Sequence, residues 1–295
     1  MPKPFPPALV KPSSRRAPAR TAQQEIGAAP ARTAAEDIEA LSGDPNFMTS
    51  LARGLAVIRG FTQQKRSLTI SQLSHRTGIP RAAVRRCLYT LSRLGYVGAA
   101  DGKNFALRPK ILGLGHAYLS STTLANAAQP LLDRISDALH ESSSMALLEG
   151  DEILYVARSS TTLRIMSVDL GIGTRLPAYC TSMGRVLLAH LPPADLDSYF
   201  RRVKLVAHTA RTVIAPDKLR KEFDVVRRSG HAIVDQELEL GLRSLAVPVR
   251  DLAGQVVAAM NISTQAPRVS IAELERRFLP ELEAAAQELG SQLLA

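Results

Sequence analysis

The amino-acid sequence predicts an α+β protein, with an N-terminal winged helix-turn-helix followed by a C-terminal domain of antiparallel sheet and helices. Three observations support this fold class. Residues 47–108 follow the order helix, glycine turn, helix, hairpin, which is typical of a winged helix-turn-helix. The positive charge of the chain is gathered in the same segment. Residues 122–295 alternate between helical and strand-like runs, an order that fits one mixed domain.

The charge of the 295-residue chain is unevenly distributed, and its formal net value is +10. Residues 48–108 carry 11 Lys and Arg against the single acid Asp101, whereas residues 1–47 have a net charge of +1 and residues 109–295 of −1. A positive charge this concentrated indicates a polyanionic partner. Aromatic residues make up only 4% and tryptophan is absent, which argues against the base-stacking surface of a single-strand binder.

The N-terminal third divides into a tail and a folded segment. The first 46 residues are rich in Pro, Ala, Arg and Ser, so we expect a disordered tail in which only residues 34–41 could form a short helix. Apolar spacing then predicts three helices, and the Asp101–Gly102 pair predicts the turn of a two-stranded hairpin. The helices are expected at residues 47–61, 70–77 and 80–94, and the hairpin at residues 96–107.

The spacing around the central turn is typical of two tightly crossing helices. Ser74 lies four residues before Gly78, and the apolar Val84 lies six residues after it. Such a crossing needs a small residue at the contact and a glycine that can adopt a positive φ at the turn. It also needs an apolar residue to hold the second helix, a role that we assign to Val84.

The second helix of this motif carries the candidate DNA-binding residues. Arg81, Arg85, Arg86 and Tyr89 lie away from its apolar face, so they could enter a major groove of double-stranded promoter DNA. Because the N-terminal residues of a recognition helix usually reach the bases, Arg81 and Arg85 are the candidates for base contacts. The candidates for phosphate contacts are Arg86, on the same helix, and Lys103, at the tip of the hairpin. The alternative is a solvated basic face without a partner.

The rest of the chain predicts a connecting helix at residues 112–120 and a mixed domain behind it. Four helices are expected there, at residues 124–141, 183–191, 217–228 and 271–294. Six strands are expected, at residues 144–149, 153–158, 164–168, 231–235, 244–250 and 256–263.

Several stretches resemble the IclR-type regulators, and they occur in the family's order along both domains. They are LARGLAVIRGF (51–61), LSHRTGIPRAAVRRCLYTLSRLGYV (73–97), LPAYCTSMGRVLLA (176–189) and GHAIVDQELELGLRSLAVPVRDLAGQVVAAMNIS (230–263). Within the family, PRAAVRRCL, ILGLGHAYLSS and DQELELGLRS are most similar to regulators of aromatic-acid catabolism through the β-ketoadipate and protocatechuate pathway.

The resemblance implies a homodimer or homotetramer that binds promoter DNA and, as an activator, has RNA polymerase as a further candidate partner. It implies a GAF-like or PAS-like sheet that holds a small organic acid, with β-ketoadipate as the expected effector. The domains expected from it are a tail (1–46), a DNA-binding domain (47–108), a linker helix (109–121) and an effector-binding and oligomerisation domain (122–295).

The resemblance also places the effector residues. Ser182 and Met183 fall at the start of a helix, where free N–H groups and the helix dipole favour a carboxylate. Asp235, Ser244, Asn261 and Ser263 fall at the other pocket positions of the family. Cations that could meet an effector carboxylate are Arg158, Arg164, Arg175 and Arg243, with no basis for choosing among them.

The alternatives to effector contacts are ordinary structural roles. Asn261 and Ser263 are two residues apart on one strand, so they share a face, and both interrupt an apolar run. They either meet a ligand or hydrogen-bond to neighbouring backbone. Asp235 could equally be a turn residue, and Arg185 is expected on a solvated helix face.

No enzyme is expected, and with it no cofactor or metal. The six histidines show no HExxH spacing, and Ser182 lacks the glycine two residues before it that a nucleophile elbow requires. Cys87 and Cys180 are expected to be buried thiols. The chain has no apolar run of membrane-spanning length and no secretory signal, so we expect a cytoplasmic protein without a membrane partner. Two other functions stay open: a repressor that answers another aromatic or organic acid, and a DNA-binding protein whose C-terminal domain only oligomerises.

Overall fold

The computed structural model describes residues 33–62, 65–115, 123–159 and 170–293. Apart from Leu294 at the end of the predicted final helix, three of the expectations above fall wholly or partly outside this range. They are the tail over residues 1–32, residues 116–120 of the connecting helix, and the strand at residues 164–168. The start of the predicted linker forms a 3-10 turn, Pro109–Ile111, followed by helical residues 112–115.

The N-terminal module, which we define as residues 33–107, contains the predicted helices and hairpin. Its helices are α1 Ala34–Glu39, α2 Thr49–Arg59, α3 Ile70–Thr77 and α4 Arg81–Arg93. Its strands are β1 Ser67–Leu68, β2 Val97–Ala99 and β3 Phe105–Leu107. They pair antiparallel in the order β1-β3-β2. The hairpin β2-β3 is the predicted wing, and the sequence analysis missed the two-residue β1 that pairs with it.

Helix α1 corresponds to the short helix that the sequence allowed at residues 34–41, within a tail otherwise expected to be disordered. Thr33 and Glu36 form a capping box, in which the Thr33 N–H donates to Glu36 Oε2 over 2.6 Å. Ile38 is only 8% exposed and belongs to the apolar core of this module. A helix of six residues is marginal by itself, so packing of Ile38 accounts for its order, and local composition does not reveal this.

The turn of the motif has the geometry that its spacing predicts. Gly78 adopts φ 72°, in the left-handed region. Ser74 Oγ donates to the Ile79 carbonyl over 2.7 Å, so this serine is a hydrogen-bonding residue as well as a small one. Val84 is fully buried. The crossing of the two helices therefore depends on three residues that lie close together in the sequence, Ser74, Gly78 and Val84.

The C-terminal module, which we define as the described residues between 123 and 293, is built on an antiparallel sheet. Its strands are β4 Ser142–Glu149, β5 Glu152–Ser159, β6 Arg175–Pro177, β7 Ala232–Asp235, β8 Leu242–Arg250 and β9 Val256–Gln265. Within the described residues their order is β6-β5-β4-β9-β8-β7. The predicted α+β class, with a helix-turn-helix and an antiparallel sheet domain, is confirmed.

Helices cover both faces of this sheet. They are α5 Thr123–Leu139, α6 Ser182–Ala189, α7 Pro193–Arg202, α8 Pro216–Ser229, α9 Ile271–Glu273 and α10 Leu279–Gln292. Helix α7 and strand β6 were not predicted from the sequence. The predicted final helix is interrupted by a π-helical turn, Leu274–Phe278.

Alternation along the strands separates two apolar cores. Met145, Leu245 and Met260 pack with α5 and α10 on one face. Ala146, Ala246 and Ala259 pack with α6, α7 and α8 on the other. The small side chains of the second face leave room for α6. A β-carbon on Gly184 of this helix would lie only 2.1 Å from the Ala178 carbonyl oxygen, so the close approach requires glycine.

Within the part of the chain that the structure describes, every helix is too short or too polar to cross a membrane.

Candidate DNA-binding and effector sites

Helix α4 presents one apolar face and one basic face. Val84, Leu88 and Leu91 are buried in the core of the N-terminal module. The predicted DNA-binding residues of the helix lie on its other side, where all are exposed; they are Arg81, Arg85, Arg86 and Tyr89. Tyr89 is 67% exposed, an unusual position for a large aromatic ring unless a partner covers it. The structure thus brings the four side chains to one free surface.

The wing places Lys103 at an exposed tip that hydrogen bonds hold in shape. Asp101 Oδ1 accepts from the backbone N–H groups of Lys103, over 3.0 Å, and of Asn104, over 2.7 Å. These bonds and the side-chain bond from Asn104 lower the pKa of Asp101 to about 2. The Asp101 carboxylate is therefore ionised and hydrogen-bonded within the turn that carries Lys103.

A basic groove beside α4 was missed by the sequence analysis. It has a volume of about 630 Å³ and runs between β1 and α3. Its lining includes the charged side chains of Lys65, Arg66, Arg76 and Arg81, together with His75. Because Arg81 belongs to both the groove and the exposed face of α4, the two form one continuous basic surface. The sequence signal for this groove is the adjacent pair Lys65–Arg66, which lies between the first two predicted helices.

A small cavity lies on the α6 side of the large sheet. It measures about 20 Å³, about the space that one water molecule needs. Five of the six predicted effector residues line it: Ser182, Met183, Ser244, Asn261 and Ser263. Strand register explains how they meet, because Ser244 lies opposite Ser263 on the neighbouring strand and Asn261 opposite Ala246.

Two polar atoms of the cavity residues have no hydrogen-bond partner among the described residues. They are Ser182 Oγ and Asn261 Oδ1, and both are buried. Asn261 Nδ2 donates to Ser263 Oγ over 3.1 Å, so this pair bonds side chain to side chain and not to neighbouring backbone. Buried polar groups are normally paired, so these two atoms are left with hydrogen-bonding capacity at the cavity.

The N-terminus of α6 forms one end of the cavity. Thr181 is its N-cap, and its Oγ1 accepts from the Gly184 N–H over 3.3 Å. Ser182 and Met183 are the first two helical residues, so their N–H groups have no partner within the helix. The partial positive charge of the helix end favours an acidic ligand group there.

Asp235 does not line this cavity. Arg211 Nη1 contacts Asp235 Oδ2 over 2.7 Å, and Arg243 Nε contacts Asp235 Oδ1 over 2.8 Å. Although burial raises the pKa of Asp235, the hydrogen bond and the charge of Arg243 outweigh it, so the pKa lies below its ordinary value. Asp235 thus forms ion pairs with two arginines and lies apart from the five predicted effector residues that line the cavity.

The candidate arginines for an effector carboxylate also have other partners. Arg243 binds Asp235, Arg175 contacts Glu149 and Glu152, and Arg158 Nη1 donates to Ser144 Oγ over 3.4 Å. Arg164 lies outside the described residues.

Arg185 differs most from its expected place on a solvated helix face. It is 3% exposed, and its Nη2 lies 2.7 Å from Glu237 Oε1. Its Nε also donates to the Tyr179 carbonyl over 3.1 Å. This buried ion pair joins α6 to the segment after β7, a contact that helix periodicity alone could not reveal.

The cavity contains polar residues that the sequence analysis missed, namely Tyr155, Cys180, Thr181 and Glu237. Burial raises the pKa of both Tyr155 and Cys180 to about 12, so both groups are neutral near pH 7. Glu237 lies within the DQELELG run that carried the resemblance, but nothing in its spacing distinguished it from its acidic neighbours.

Comparisons with known proteins agree with this architecture. The IclR helix-turn-helix domain matches residues 50–99, and the bacterial transcriptional regulator IclR C-terminal domain matches residues 116–291. The Pca regulon regulatory protein of Pseudomonas putida is 57% identical over 285 residues, which cover 97% of this chain and 98% of that protein.

Two solved structures extend the likeness to the fold. A transcriptional regulator from Rhodococcus sp. RHA1 has a TM-score of 0.73 and 47% identity, covering 83% of this chain and 98% of that chain. The inducer-binding domain of PobR from Acinetobacter, a double mutant in complex with 3-hydroxybenzoic acid, has a TM-score of 0.55 and 30% identity. It covers 58% of this chain and 100% of that chain. With a helix-turn-helix match and a C-terminal match that together span both modules, the chain belongs to the IclR family of DNA-binding bacterial transcription regulators.

Proposed function

We propose that this regulator binds promoter DNA as a homodimer or homotetramer and controls genes of aromatic-acid catabolism in response to a small organic acid. The observation that carries the effector part is the pair of unpartnered buried atoms, Ser182 Oγ and Asn261 Oδ1, at one cavity. In this proposal residues 47–108 bind DNA, residues 109–121 connect, and residues 122–295 bind the effector and oligomerise. The protein acts in the cytoplasm, where its promoters are.

The DNA contacts follow from the exposed face of α4. Arg81 and Arg85, near the start of the helix, read base edges, since arginine can donate two hydrogen bonds to guanine. Arg86 and Lys103 hold phosphates, and Tyr89 packs against the groove wall. The groove with Lys65 and Arg66 adds further positive charge along the same surface.

The effector is a carboxylic acid, with β-ketoadipate as the first candidate. The likeness of this chain to the Pca regulon regulatory protein supports this choice. The helix N-terminus at Ser182 and Met183 supplies the donors for a carboxylate. A cavity of about 20 Å³ holds no six-carbon acid. The effector therefore selects a form of the domain in which the α6 wall and the sheet stand further apart.

Regulation follows as a shift between two populations. The effector favours the open form, and the linker transmits the change to the spacing of two recognition helices. Only a difference in effector affinity between the two forms can drive this shift. The family resemblance favours activation, in which RNA polymerase is the further partner.

A footprint tests the proposal directly. The full chain is bound to duplex DNA from upstream of its own gene and of neighbouring genes, with and without β-ketoadipate. We expect protection of a short, symmetric site and a change in its affinity or its pattern when the acid is added. An identical footprint with β-ketoadipate, protocatechuate and no acid would contradict the sensing function and favour a C-terminal domain that only oligomerises.

A further inference from the structure

Arg185 and Glu237 form a buried ion pair at one wall of the effector cavity. Glu237 lines the cavity, and Arg185 Nη2 lies 2.7 and 2.8 Å from its two carboxylate oxygens. Arg185 itself does not line the cavity in the described residues; its second nitrogen, Nη1, lies 3.8 Å from the half-exposed Glu222. A ligand in the cavity therefore meets the negative member of the pair first.

Further bonds hold the Glu237 carboxylate in place. Glu237 Oε2 also accepts from the Val213 N–H over 2.9 Å. The Glu237 carbonyl accepts from Thr212 Oγ1 over 2.6 Å and from Thr209 Oγ1 over 3.3 Å. Both members of the pair are less than a tenth exposed, so water screens their charges weakly.

The field of Glu237 reaches the cavity. Burial is the main cause that raises the pKa of Cys180 to about 12, and the Glu237 carboxylate raises it further, while Arg185 lowers it. Cys180 lines the same cavity. A carboxylate that enters this space is thus repelled by Glu237, and the cation that would offset its charge is already paired.

We propose that Glu237 is a specificity-determining residue, which sets the charge class of the effector by competing with effector carboxylates for Arg185. The native pair has no net charge, so a carboxylate that enters meets only the partial positive charge of the α6 N-terminus unless it displaces Glu237 from the guanidinium. A dianionic acid is penalised more than a monoanionic one, and an uncharged analogue is not penalised. This inference rests on the proposed effector function and names the charge selectivity of the same cavity.

Two single substitutions change the charge in opposite directions. E237Q keeps an oxygen that can accept from Arg185 and from the Val213 N–H, but it leaves the arginine charge uncompensated. R185Q leaves the glutamate charge uncompensated. The double variant R185Q/E237Q is neutral, like the native pair. Calorimetry on the full chain then measures the Kd of β-ketoadipate with two carboxylates, protocatechuate with one, and the uncharged amide of protocatechuate.

The expected order of affinities follows from the net charge of the side chains at positions 185 and 237 in each protein. E237Q should bind β-ketoadipate at least about tenfold more tightly than the native protein, and protocatechuate more tightly by a smaller factor. R185Q should weaken both acids, and the double variant should return near the native values. The amide should bind all four proteins alike. A melting curve of each variant reports folding, and the double variant supplies the comparison if one single variant does not fold.

Other patterns overturn the inference. If E237Q tightens the amide as much as the acids, the substitution has only loosened the cavity wall. If it leaves the affinity for both acids unchanged, Glu237 sets no charge class. If the native protein binds none of the ligands, the proposed effector function fails first. Binding of β-ketoadipate by E237Q would then still support the charge role of Glu237, and its absence would remove that as well.

Discussion

The side-chain amide of Asn261 donates to the hydroxyl of Ser263 over 3.1 Å, two residues along the same strand. This bond uses the nitrogen of the amide and leaves its oxygen, Oδ1, buried without a partner among the described residues. Between the buried apolar neighbours Met260 and Ile262, such an unpaired atom lowers stability. The fold therefore leaves half of this buried amide without a hydrogen bond.

Replacing Asn261 with the similarly shaped leucine should therefore separate stability from sensing. N261L should keep the free energy of unfolding within about 1 kcal/mol of the native value, because removal of the unpaired Oδ1 offsets loss of the hydrogen bond to Ser263 Oγ. It should also lose the rise in melting temperature that an organic acid gives the native chain. Thermal melts with and without acid measure both.

The matched control is Ser143, a buried serine with its partners in place. Its Oγ donates to the Leu132 carbonyl over 2.8 Å and lies 2.9 Å from Ser136 Oγ. S143A should lower the free energy of unfolding by about 1 kcal/mol and keep the response to acid. A large loss of stability in N261L with an intact acid response would contradict the role given to Asn261.

The glycine at the helix-helix turn should be irreplaceable. Gly78 has φ 72°, and a β-carbon there would lie 2.8 Å from Thr33 Oγ1. G78A should lower the free energy of unfolding by about 1–2 kcal/mol or more, from backbone strain and from displacement of α1. Denaturant unfolding measures this.

Gly54 is the natural control for the same substitution. It lies inside α2, and a β-carbon there meets no atom within 4 Å. G54A should raise the free energy of unfolding by about 0.5–1 kcal/mol, because alanine loses less entropy in a helix. Equal effects of G78A and G54A would show that the left-handed turn and the contact with α1 do not matter.

The assignment of base and phosphate contacts on α4 predicts two different signatures. R86A and K103A should each weaken binding to all duplexes alike and should reduce the slope of log affinity against log salt by about 1. R81A and R85A should each cost about 1–3 kcal/mol at the operator and relax base preference at one position. Salt titrations with operator and scrambled duplexes distinguish the signatures.

An exposed arginine of the C-terminal module serves as the reference. Arg134 is exposed on α5, where it pairs with Glu288, and R134A should leave operator affinity and the salt slope unchanged. If R81A, R85A and R86A combined also leave both unchanged in a folded protein, α4 does not bind DNA.

His190 gives stability a dependence on pH. Its Nδ1 contacts the Val186 carbonyl over 2.8 Å, and its Nε2 lies 2.9 Å from Arg250 Nη2. A carbonyl can only accept and a guanidinium can only donate, so the folded state holds the neutral ring. Burial lowers the pKa of His190, and the positive charges of Arg250 and Arg227 add to this.

The sign of the effect follows from this lowered pKa. Between the folded pKa and the unfolded value of 6.5, the unfolded chain binds more protons, so stability decreases as the pH falls below about 6.5. Above that pH the contribution of His190 is fully present. H190Q should flatten the decrease relative to the native chain, as measured by urea midpoints at pH 7.5, 6.5 and 5.5. Parallel curves for the two proteins would exclude His190 as a source.

Local features of the sequence determined much of this protein. The crossing at Gly78 and the basic face of α4 depend on residues close together in the chain, so their spacing was enough to predict them. The wing turn at Asp101 was predictable for the same reason. Five of the six described strands of the large sheet were also predicted from strand-like runs, with β6 as the exception. The family resemblance pointed to five of the cavity residues, including Asn261 and Ser263.

Only the tertiary structure decided which side chains are buried together. Arg185 and Glu237 are 52 residues apart, and a helix pattern cannot show that one of its polar positions meets a carboxylate from another element. Asp235 forms ion pairs with Arg211 and Arg243 and does not line the cavity. Helix α1 is ordered by the burial of Ile38. In each case the deciding free energy comes from contacts between distant segments, which form only when the chain has folded.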